Sequence, residues 1–287
     1  PHRPDADRLM STVSQSRLVP GARRPLSVVE RTWGLMGFHL TLLRRTWRGM
    51  VVSRFLSPVL LLAAMGIGVG NLVDNASGGV GGVSYLDYVV PGIVMASVMQ
   101  WAVSESTWPI MTLIKWNQMY AAMLSTPSKV ADVLRAHWIV ISFGIAWSTA
   151  VFIAVAALFG GVSSWWALLG LPIAVLTGLA FSTPLFWFAA STNNEENFST
   201  IFRLVVTPLM LFSGTFFPID QLPVWLQPLA WITPLWHGTE LARPSFLGDP
   251  LRAGHSGWWV VHLAALTAYV VVGAWGARRA LSARVEA

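Results

Sequence analysis

Glu105 is the residue of this chain whose type and setting most clearly suggest chemistry, because its carboxylate stands alone in a long apolar stretch. A carboxylate in an apolar helix is energetically costly and normally faces protein or water. Its polar neighbours Gln100, Ser104, Ser106 and Thr107 indicate a polar stripe. Glu105 could pair with a group on another helix, line a route through the protein, or act as an acid or base on a lipid.

Other catalytic and metal-binding patterns are missing from the sequence. The chain has no cysteine, which excludes disulfides, zinc ribbons, iron–sulfur clusters and thiol nucleophiles. Neither H-E-x-x-H nor G-x-S-x-G occurs, and His255 and His262, seven residues apart on one helix face, are weak evidence for a metal. The P-loop pattern G-x-x-x-x-G-K-[ST] does not occur, because neither lysine, Lys115 or Lys129, follows a glycine. We therefore expect no catalytic, cofactor or metal site on this chain.

The composition excludes both a soluble enzyme and a disordered chain. Hydrophobic residues make up 54% of the 287 residues and charged residues only 11%, whereas a soluble domain carries about 25% charged residues. The 16 Trp residues favour membrane–water interfaces. Although the net charge is +6, the basic residues lie between apolar runs, so the sequence predicts membrane lipids as a partner and no nucleic acid.

The apolar runs predict an all-α polytopic membrane protein with six transmembrane helices. A spanning helix needs roughly 20 mostly apolar residues. The charge-free run Ala136–Asn194 is too long for one span, and the Gly160–Ser164 cluster divides it into two. The predicted spans lie near residues 51–72, 88–113, 137–159, 165–190, 200–218 and 257–278.

The basic residues predict the orientation of these spans. All of them except Arg243 and Arg252 lie at or before the start of the first span, in the 2–3 and 4–5 loops, or at the C-terminus. Positive charge is retained on the cytoplasmic side. We therefore expect a multi-pass protein of the bacterial plasma membrane with both termini in the cytoplasm, as an even number of spans requires.

The segment before the first span predicts an amphipathic helix that lies in the cytoplasmic interface. Apolar residues that alternate in spacings of four and three share one helix face. They are Val29, Trp33, Met36, Leu40, Leu43 and Trp47. Such a helix directs its aromatic rings to lipid and its guanidinium groups to phosphates. It could be a simple anchor, a collar that touches a cytoplasmic partner, or both.

The domain organisation follows from these elements. We expect a flexible basic N-terminal tail (1–25), the cytoplasmic interfacial helix (26–49), a transmembrane domain (50–280) and a cytoplasmic C-terminal tail (281–287).

The cytoplasmic loop between spans two and three predicts a pair of short helices. Trp116, Met119, Tyr120 and Met123 have the spacing of one apolar helical stripe. In the corner that follows, Thr126 suits an N-cap and Pro127 the first position of the next helix. The stripe could dock a partner, or it could pack on its own bundle as part of an ordinary connector.

A second charge-free run, 221–239, precedes the last span. Pro223, Pro228 and Pro234 make a straight spanning helix unfavourable. Together with Trp225, these residues predict a hairpin that re-enters the outer leaflet as half-helices between spans five and six. The alternative is an amphipathic segment at the outer headgroups.

Two stretches carry a family resemblance. The run MYAAMLSTPSKVADVL (119–134) resembles the coupling loop of ABC-2 type permeases, the membrane subunits of type-2 ABC exporters. The run LFSGTFFPIDQLPVWLQPLAWITPLWHGTELAR (211–243) resembles the outer re-entrant region of the same family, in the branch of nodulation-factor and daunorubicin-resistance permeases. The resemblance extends over nearly the whole chain.

The resemblance implies a fold with an interfacial helix, six spans and two re-entrant half-helices. It also implies two partners: a separate nucleotide-binding ABC ATPase subunit, which would hold ATP and Mg, and a second permease copy in a homodimer. The residues expected to couple to the ATPase are Trp116, Met119, Tyr120, Met123, Leu124, Ser125, Thr126 and Pro127. The residues expected along the translocation route are Gln100, Glu105, Phe212, Phe216, Phe217 and Trp225.

The expected function is export of an amphipathic substrate, such as a lipo-oligosaccharide, a glycolipid or a lipophilic drug. Two alternatives stay open on the residues alone. One is a six-span membrane enzyme acting on lipids through Glu105. The other is a membrane partner of an ATPase that does not transport.

Overall fold

A computed structural model describes residues 26–37, 41, 56, 59–80, 82–162, 164–248 and 258–286. The predicted tail 1–25, part of the first predicted span and His255 lie outside these residues. So do Leu40, Leu43 and Trp47, half of the apolar face predicted for the interfacial helix.

The regular secondary structure of the described residues is helical, apart from one isolated bridge between Val80 and Val83. The helices are α1 (28–37), α2 (59–77), α3 (Tyr85–Glu105), α4 (Trp108–Met111, continued by a π-helical turn over Thr112–Trp116), α5 (Met119–Leu124), α6 (Val130–Leu158), α7 (Gly170–Ser191), α8 (196–212), α9 (Gln227–Ile232), α10 (Pro234–Phe246) and α11 (Trp259–Glu286). Helices α2 and α8 each contain a π-helical segment, and a 3₁₀ turn leads into α7.

Four of these helical stretches are long and apolar enough to cross a membrane. They are Tyr85–Trp116, Val130–Leu158, Trp165–Ser191 and Trp259–Arg284. They coincide with the second, third, fourth and sixth predicted spans, which confirms an all-helical, multi-pass membrane protein. The regions predicted as the first and fifth spans correspond to α2 and α8.

Helix α7 is the centre of the bundle and packs against α3, α6, α10 and α11. Small residues make the close approach of these helices possible, as is usual where lipid gives no hydrophobic drive for association. Gly178 of α7 lies against Ile145 of α6. Gly273 of α11 lies against the backbone of Thr183 and Pro184, so a Cβ atom there would come within 2.5 Å of Pro184 N.

The bundle has a basic end. The loops and termini there carry Arg31, Lys115, Lys129, Arg135 and Arg284. An apolar cluster, here called the basic-end cluster, joins α1, α4, α5, α6, α7, α8 and α11 at this end. Its buried members include Leu35, Ile110, Met111, Tyr120, Met123, Val133, Leu134, Phe186, Ala189, Phe198, Ala277 and Leu281.

The opposite end, here called the hairpin end, holds α9 and the loops around it. A small cluster of Ile219, Leu222 and Ala230 closes this end, with Phe217 and Trp236 packed against it. Helices α9 and α10 meet at Thr233, whose hydroxyl accepts from the backbone N–H of Trp236 and caps α10. The segment predicted as a hairpin of half-helices is thus two short helices joined at one residue.

The close contact of α11 with α7 leads to a stability prediction. Replacing Gly273 by Ala adds a methyl group where the backbone of α7 leaves no room, and such overpacking costs about 1–3 kcal/mol. We expect a lower melting temperature in detergent micelles. As a control, Gly34→Ala in α1, where nothing lies near the added Cβ, should be neutral or slightly stabilising. Equal melting temperatures for the wild type and Gly273→Ala would contradict this packing.

Candidate functional site

Helix α5 is a single short helix at the basic end, set at an angle to α4. The turn between them depends on Gln118, whose φ of 46° lies in the left-handed region that non-glycine residues seldom adopt. This turn directs α5 away from the axis of α4. The short helix therefore does not continue α4 as one straight helix.

The predicted apolar stripe on α5 is largely buried within the chain itself. Tyr120 is 1% exposed and Met123 is 8% exposed, and both belong to the basic-end cluster. Burial raises the pKa of the Tyr120 phenol, so the ring stays neutral. Met119 and Leu124 are partly buried against the same cluster, whereas Trp116 is 57% exposed. The stripe anchors α5 to the bundle, as the connector interpretation had it.

The opposite face of α5 is open and made of small side chains. Ala121 and Ala122 are exposed, and the turn that follows, Ser125–Pro127, is exposed as well. Trp116, three residues before the start of α5, is exposed too. This group of six exposed residues, here called the α5 surface, is a compact knob that a partner could contact without disturbing the core.

The predicted N-cap at Thr126 is wrong. Helix α6 begins at Val130 with Lys129 as its cap residue. The hydroxyl of Thr126 instead donates to the carbonyl of Met123 and closes the end of α5. The start of α6 is fixed by Asp132, whose carboxylate accepts from the backbone N–H of Lys129.

Asp132 also ties α1 to α6. Its carboxylate is 1% exposed and accepts from Arg31 Nε at 2.8 Å and from Arg135 Nη1 at 3.0 Å. Arg31 is itself mostly buried, and Leu35 of the same helix enters the basic-end cluster. Helix α1 is thereby held beside the start of α6 and the nearby α5.

The remaining predicted residues of the interfacial helix divide between two faces. Val29 is 74% exposed and Trp33 is 67% exposed. Met36 packs against the basic-end cluster. The apolar side chains that leave the bundle are thus free to contact lipid or a partner.

The loop between α7 and α8 is held from two sides. Arg284 of α11 donates to the carbonyls of Ala190 and Thr192 at 2.9 and 2.6 Å. Lys115 Nζ lies 4.0 Å from a carboxylate oxygen of Glu195. The end of α4 and the end of α11 are thereby both joined to this loop.

Glu105 lies at the last residue of α3, where the chain breaks before α4. Trp101 Nε1 donates to Glu105 Oε1 at 3.1 Å, and the Trp101 ring is seated over Gly144 of α6. The break itself is closed by a buried hydrogen bond of 2.7 Å between the hydroxyls of Ser106 and Ser182. Glu105 is thus partly buried and held by its own helix.

A polar surface extends along the helices beside Glu105. On α3 and α4, Gln100 and Ser104 are exposed, with Ser97 and Thr112 partly exposed on the same line. On α8, four exposed polar residues follow helical spacing: Glu196, Thr200, Arg203 and Thr207. The two lines meet where Gln100 Nε2 lies 2.9 Å from Met210 Sδ. We call these residues the polar surface.

The aromatic route candidates lie further along, towards the hairpin end. Phe212, 38% exposed, ends α8, and Phe216 packs against the central core. The central core is the large apolar cluster that includes Ile93 of α3, Ile145 of α6 and Phe246 of α10. Phe217 belongs to the hairpin-end cluster, whereas Trp225 is 74% exposed. The fold therefore does not bring the six route candidates together at one point. They lie at separate places, between the end of α3 and the hairpin end.

The partner of His262 was missed by sequence reasoning. His262 Nδ1 lies 2.8 Å from His237 Nδ1 in the buried contact of α10 with α11. No sequence spacing links two residues on different helices. Among the described residues, no group of three His, Cys, Asp or Glu side chains could hold a metal ion.

The ion pair at Asp132 leads to a second prediction. Asp132→Asn removes the negative charge shared by two arginines and leaves Arg31 in a mostly buried position. Breaking such a pair costs about 3 kcal/mol, so we expect lower stability and faster cleavage by trypsin after Arg31. As a control, Arg135→Gln removes a half-exposed partner and should cost less than about 1 kcal/mol. Wild-type protection of Arg31 in Asp132→Asn would contradict this anchoring.

Comparison with known proteins identifies the family. The profile of the ABC-2 type transporter family matches residues 31–247. Nodulation protein J of Rhizobium leguminosarum bv. viciae is 32% identical over 225 residues, which cover 77% of this chain and 82% of that protein. Nodulation protein J of Rhizobium meliloti (strain 1021) is also 32% identical, with 77% and 81% covered.

A more distant relative is also named as a transport permease. The inner membrane transport permease YadH of Escherichia coli (strain K12) is 26% identical over 202 residues, which cover 69% of this chain and 77% of that protein. The family profile spans most of the chain and includes both α5 and the hairpin end. This multi-pass membrane protein therefore belongs to the ABC-2 type transporter family of permeases.

Proposed function

We propose that this chain is the membrane-spanning subunit of an ATP-driven exporter in a bacterial plasma membrane. Its cargo is an amphipathic molecule taken from the cytoplasm or the inner leaflet. Membership of the ABC-2 family supports the transport role. The relatives named nodulation protein J and transport permease support it further.

The topology that fits this function has six spans. Helices α2 and α8 complete the four long apolar helices, and α9 and α10 form the re-entrant half-helices. The basic end then lies in the cytoplasm with both termini, because positive charge is retained there. The hairpin end lies in the outer leaflet, where the exposed Trp225 suits the interface.

The α5 surface is the observation that carries the coupling proposal. It is a small, exposed knob at the basic end, and its inner face is locked to the bundle by Tyr120 and Met123. Because α5 is packed into the basic-end cluster, a partner that pushes on the α5 surface would also move the helices of that cluster. An ABC ATPase subunit docked there would therefore transmit its closure directly to the membrane helices.

The transmission path consists of contacts already described. The basic-end cluster joins α5 to α6, α7, α8 and α11. The ion pairs of Asp132 join α1 to the same group. When two ATPase subunits close on ATP, the short helix and α1 move as one unit with these spans. Two permease copies then shift against each other and open a route between them.

ATP and Mg are assigned to the partner subunit. The chain contains no P-loop sequence whose backbone N–H groups could cradle phosphates. Its own residues bind the partner, transmit motion and provide the surface along which the cargo passes.

The polar surface favours a cargo with a hydroxyl-rich head. Amide, hydroxyl, carboxylate and guanidinium groups lie exposed along helices that otherwise face lipid. The Ser and Thr hydroxyls of this surface donate to carbonyls of their own helices. The charged and amide groups beside them are costly to expose to lipid tails, which offer them no polar partner. A sugar head bound there would hydrogen-bond to the polar surface, while its lipid tail would contact the aromatic residues near Phe212. A lipo-oligosaccharide or glycolipid therefore fits better than a lipophilic drug.

The α5 surface provides the first test of this function. Ala122→Asp places a charge on the knob without touching the core, because Ala122 is exposed. We expect the ATPase subunit to bind at least about tenfold more weakly, since an unpaired charge in an interface is desolvated. The measurement is co-purification and ATP turnover of the co-expressed complex. Tyr120→Asp is unsuitable, because that side chain is core.

Ala76→Asp is the matched control. It introduces the same substitution at an exposed helical alanine at the far end of α2. Assembly and ATP turnover should stay at wild-type values in this variant. An Ala122→Asp variant that still assembles and hydrolyses ATP normally would reject α5 as the docking element. Lipid chemistry by the chain alone would favour the enzyme alternative instead.

The polar surface provides a test of the cargo. Reconstituted complexes are given either a glycolipid or a lipophilic drug, and the stimulation of ATP turnover is measured for each. Gln100→Leu removes one amide from the polar surface, and one lost neutral hydrogen bond is worth about 1 kcal/mol, or roughly fivefold. We expect glycolipid stimulation to fall by this factor relative to drug stimulation. Thr267→Val, an exposed polar residue on α11, should not change the ratio. Equal loss for both cargoes would argue against sugar recognition.

A further inference from the structure

The segment Ser213–Pro218 is irregular backbone between α8 and α9, and its first part is buried. Ser213 is 1% exposed and Thr215 is 0% exposed, and Gly214 has a φ of +75°. Buried backbone groups at membrane depth must find partners inside the protein. The question is which residues supply them.

Two side chains from different helices converge on the carbonyl of Gly214. Arg243 Nη2 of α10 donates to it at 2.7 Å, and the hydroxyl of Tyr88 of α3 donates to it at 3.3 Å. The Arg243 guanidinium also lies 4.1 Å above the centre of the Tyr88 ring. One arginine thus joins the loop to α10 and α3 at the same point.

The charge of Arg243 is balanced within its own helix. Arg243 Nη1 donates to Glu240 Oε1 at 2.7 Å, and both side chains are mostly buried. Arg243 Nε is buried and has no hydrogen-bond partner within the described part of the chain. The guanidinium therefore leaves one buried N–H without a hydrogen bond. That unsatisfied group reduces the net stabilisation that Arg243 gives to the loop.

The backbone of the loop lies directly on α3. A Cβ atom built on Gly92 would come within 2.5 Å of the carbonyl oxygen of Thr215, so no larger residue fits there. At the start of the loop, the hydroxyls of Ser213 and Thr233 are 3.0 Å apart. The loop therefore packs closely on α3 at Gly92. Hydrogen bonds from Arg243 of α10 and from Thr233, the cap of α10, hold it there.

We propose that Arg243 is a positioning residue for transport, which holds the Ser213–Pro218 loop on α3 and so keeps the hairpin end of the route closed. This role rests on the proposed function. Through the loop, Arg243 positions Phe216 and Phe217, which pack against the central core and the hairpin-end cluster. Opening of the route requires the Gly214 carbonyl to leave Arg243, while Glu240 retains the guanidinium.

The test uses a thiol probe, because the chain has no cysteine of its own. Thr215→Cys places the probe on the buried loop, and the Thr215 hydroxyl has no partner to lose within the described residues. The protein is embedded in nanodiscs and labelled with a water-soluble maleimide. We expect Arg243→Gln to speed labelling of this probe about tenfold, the value of one charge-assisted hydrogen bond.

A second probe separates local opening from general loosening. Ala189→Cys lies in the basic-end cluster and is equally buried. Its labelling rate should not change in Arg243→Gln. An unchanged rate at position 215, or an equal rise at both probes, would overturn the proposal. Tyr88→Phe removes only the second donor to the Gly214 carbonyl and should speed labelling at position 215 by a smaller factor. If Arg243→Gln fails to fold, an unchanged labelling rate in Tyr88→Phe would overturn the proposal that bonds to this carbonyl hold the loop.

The link to transport is measured separately in the complex with the ATPase. Arg243→Gln should hydrolyse ATP but move about tenfold less glycolipid for each ATP, because the loop no longer closes behind the cargo. Arg279→Gln, an exposed arginine on α11, is the control for loss of a positive charge. Unchanged glycolipid movement per ATP in Arg243→Gln would overturn the positioning role. If the wild type moves no glycolipid with ATP, the proposed function fails, whereas the labelling rates still decide whether Arg243 holds the loop.

Discussion

The structure depends on one constraint: in lipid, every buried backbone group outside a regular helix needs a partner from the same protein. Three interruptions of helices in the described part of the chain have such partners. At the break after α3 the Thr107 hydroxyl donates to the carbonyl of Val103, and at the end of α7 Arg284 donates to the carbonyl of Ala190. The loop after α8 is closed by Arg243 and Tyr88. These interruptions are therefore joints, fixed by a few directional bonds, between helices that are otherwise packed by small residues.

The two ends of the protein are held together by different interactions. At the basic end, many apolar side chains and the buried Asp132 bind seven helices into one unit. At the hairpin end, a smaller apolar cluster and a few hydrogen bonds hold the loop after α8. In the proposed function, the basic end receives the force of the ATPase and the more lightly packed hairpin end yields to it.

Much of this protein was predictable from its sequence, and the reason is the bilayer. Four apolar runs became the four long helices, because only a helix satisfies its own backbone in lipid. The prolines of residues 221–239 likewise argued against one straight helix, and this stretch holds α9 and the start of α10. The family resemblance, carried by residues 119–134 and 211–243, agrees with the family profile over residues 31–247.

What the sequence determined by itself is periodicity and polarity along the chain; what only the tertiary structure decided is direction and pairing. Helical spacing correctly grouped Tyr120 and Met123 on one face, but it could not tell whether that face points outward or into the bundle. Thr126 has the right chemistry for an N-cap, yet Asp132 fixed the start of α6 by accepting from the Lys129 backbone N–H, and packing brought Arg31 of α1 onto the same carboxylate. The contacts of Arg243 with Gly214 and of His237 with His262 join residues 29 and 25 positions apart. No local pattern records such contacts, because they exist only once the helices have packed.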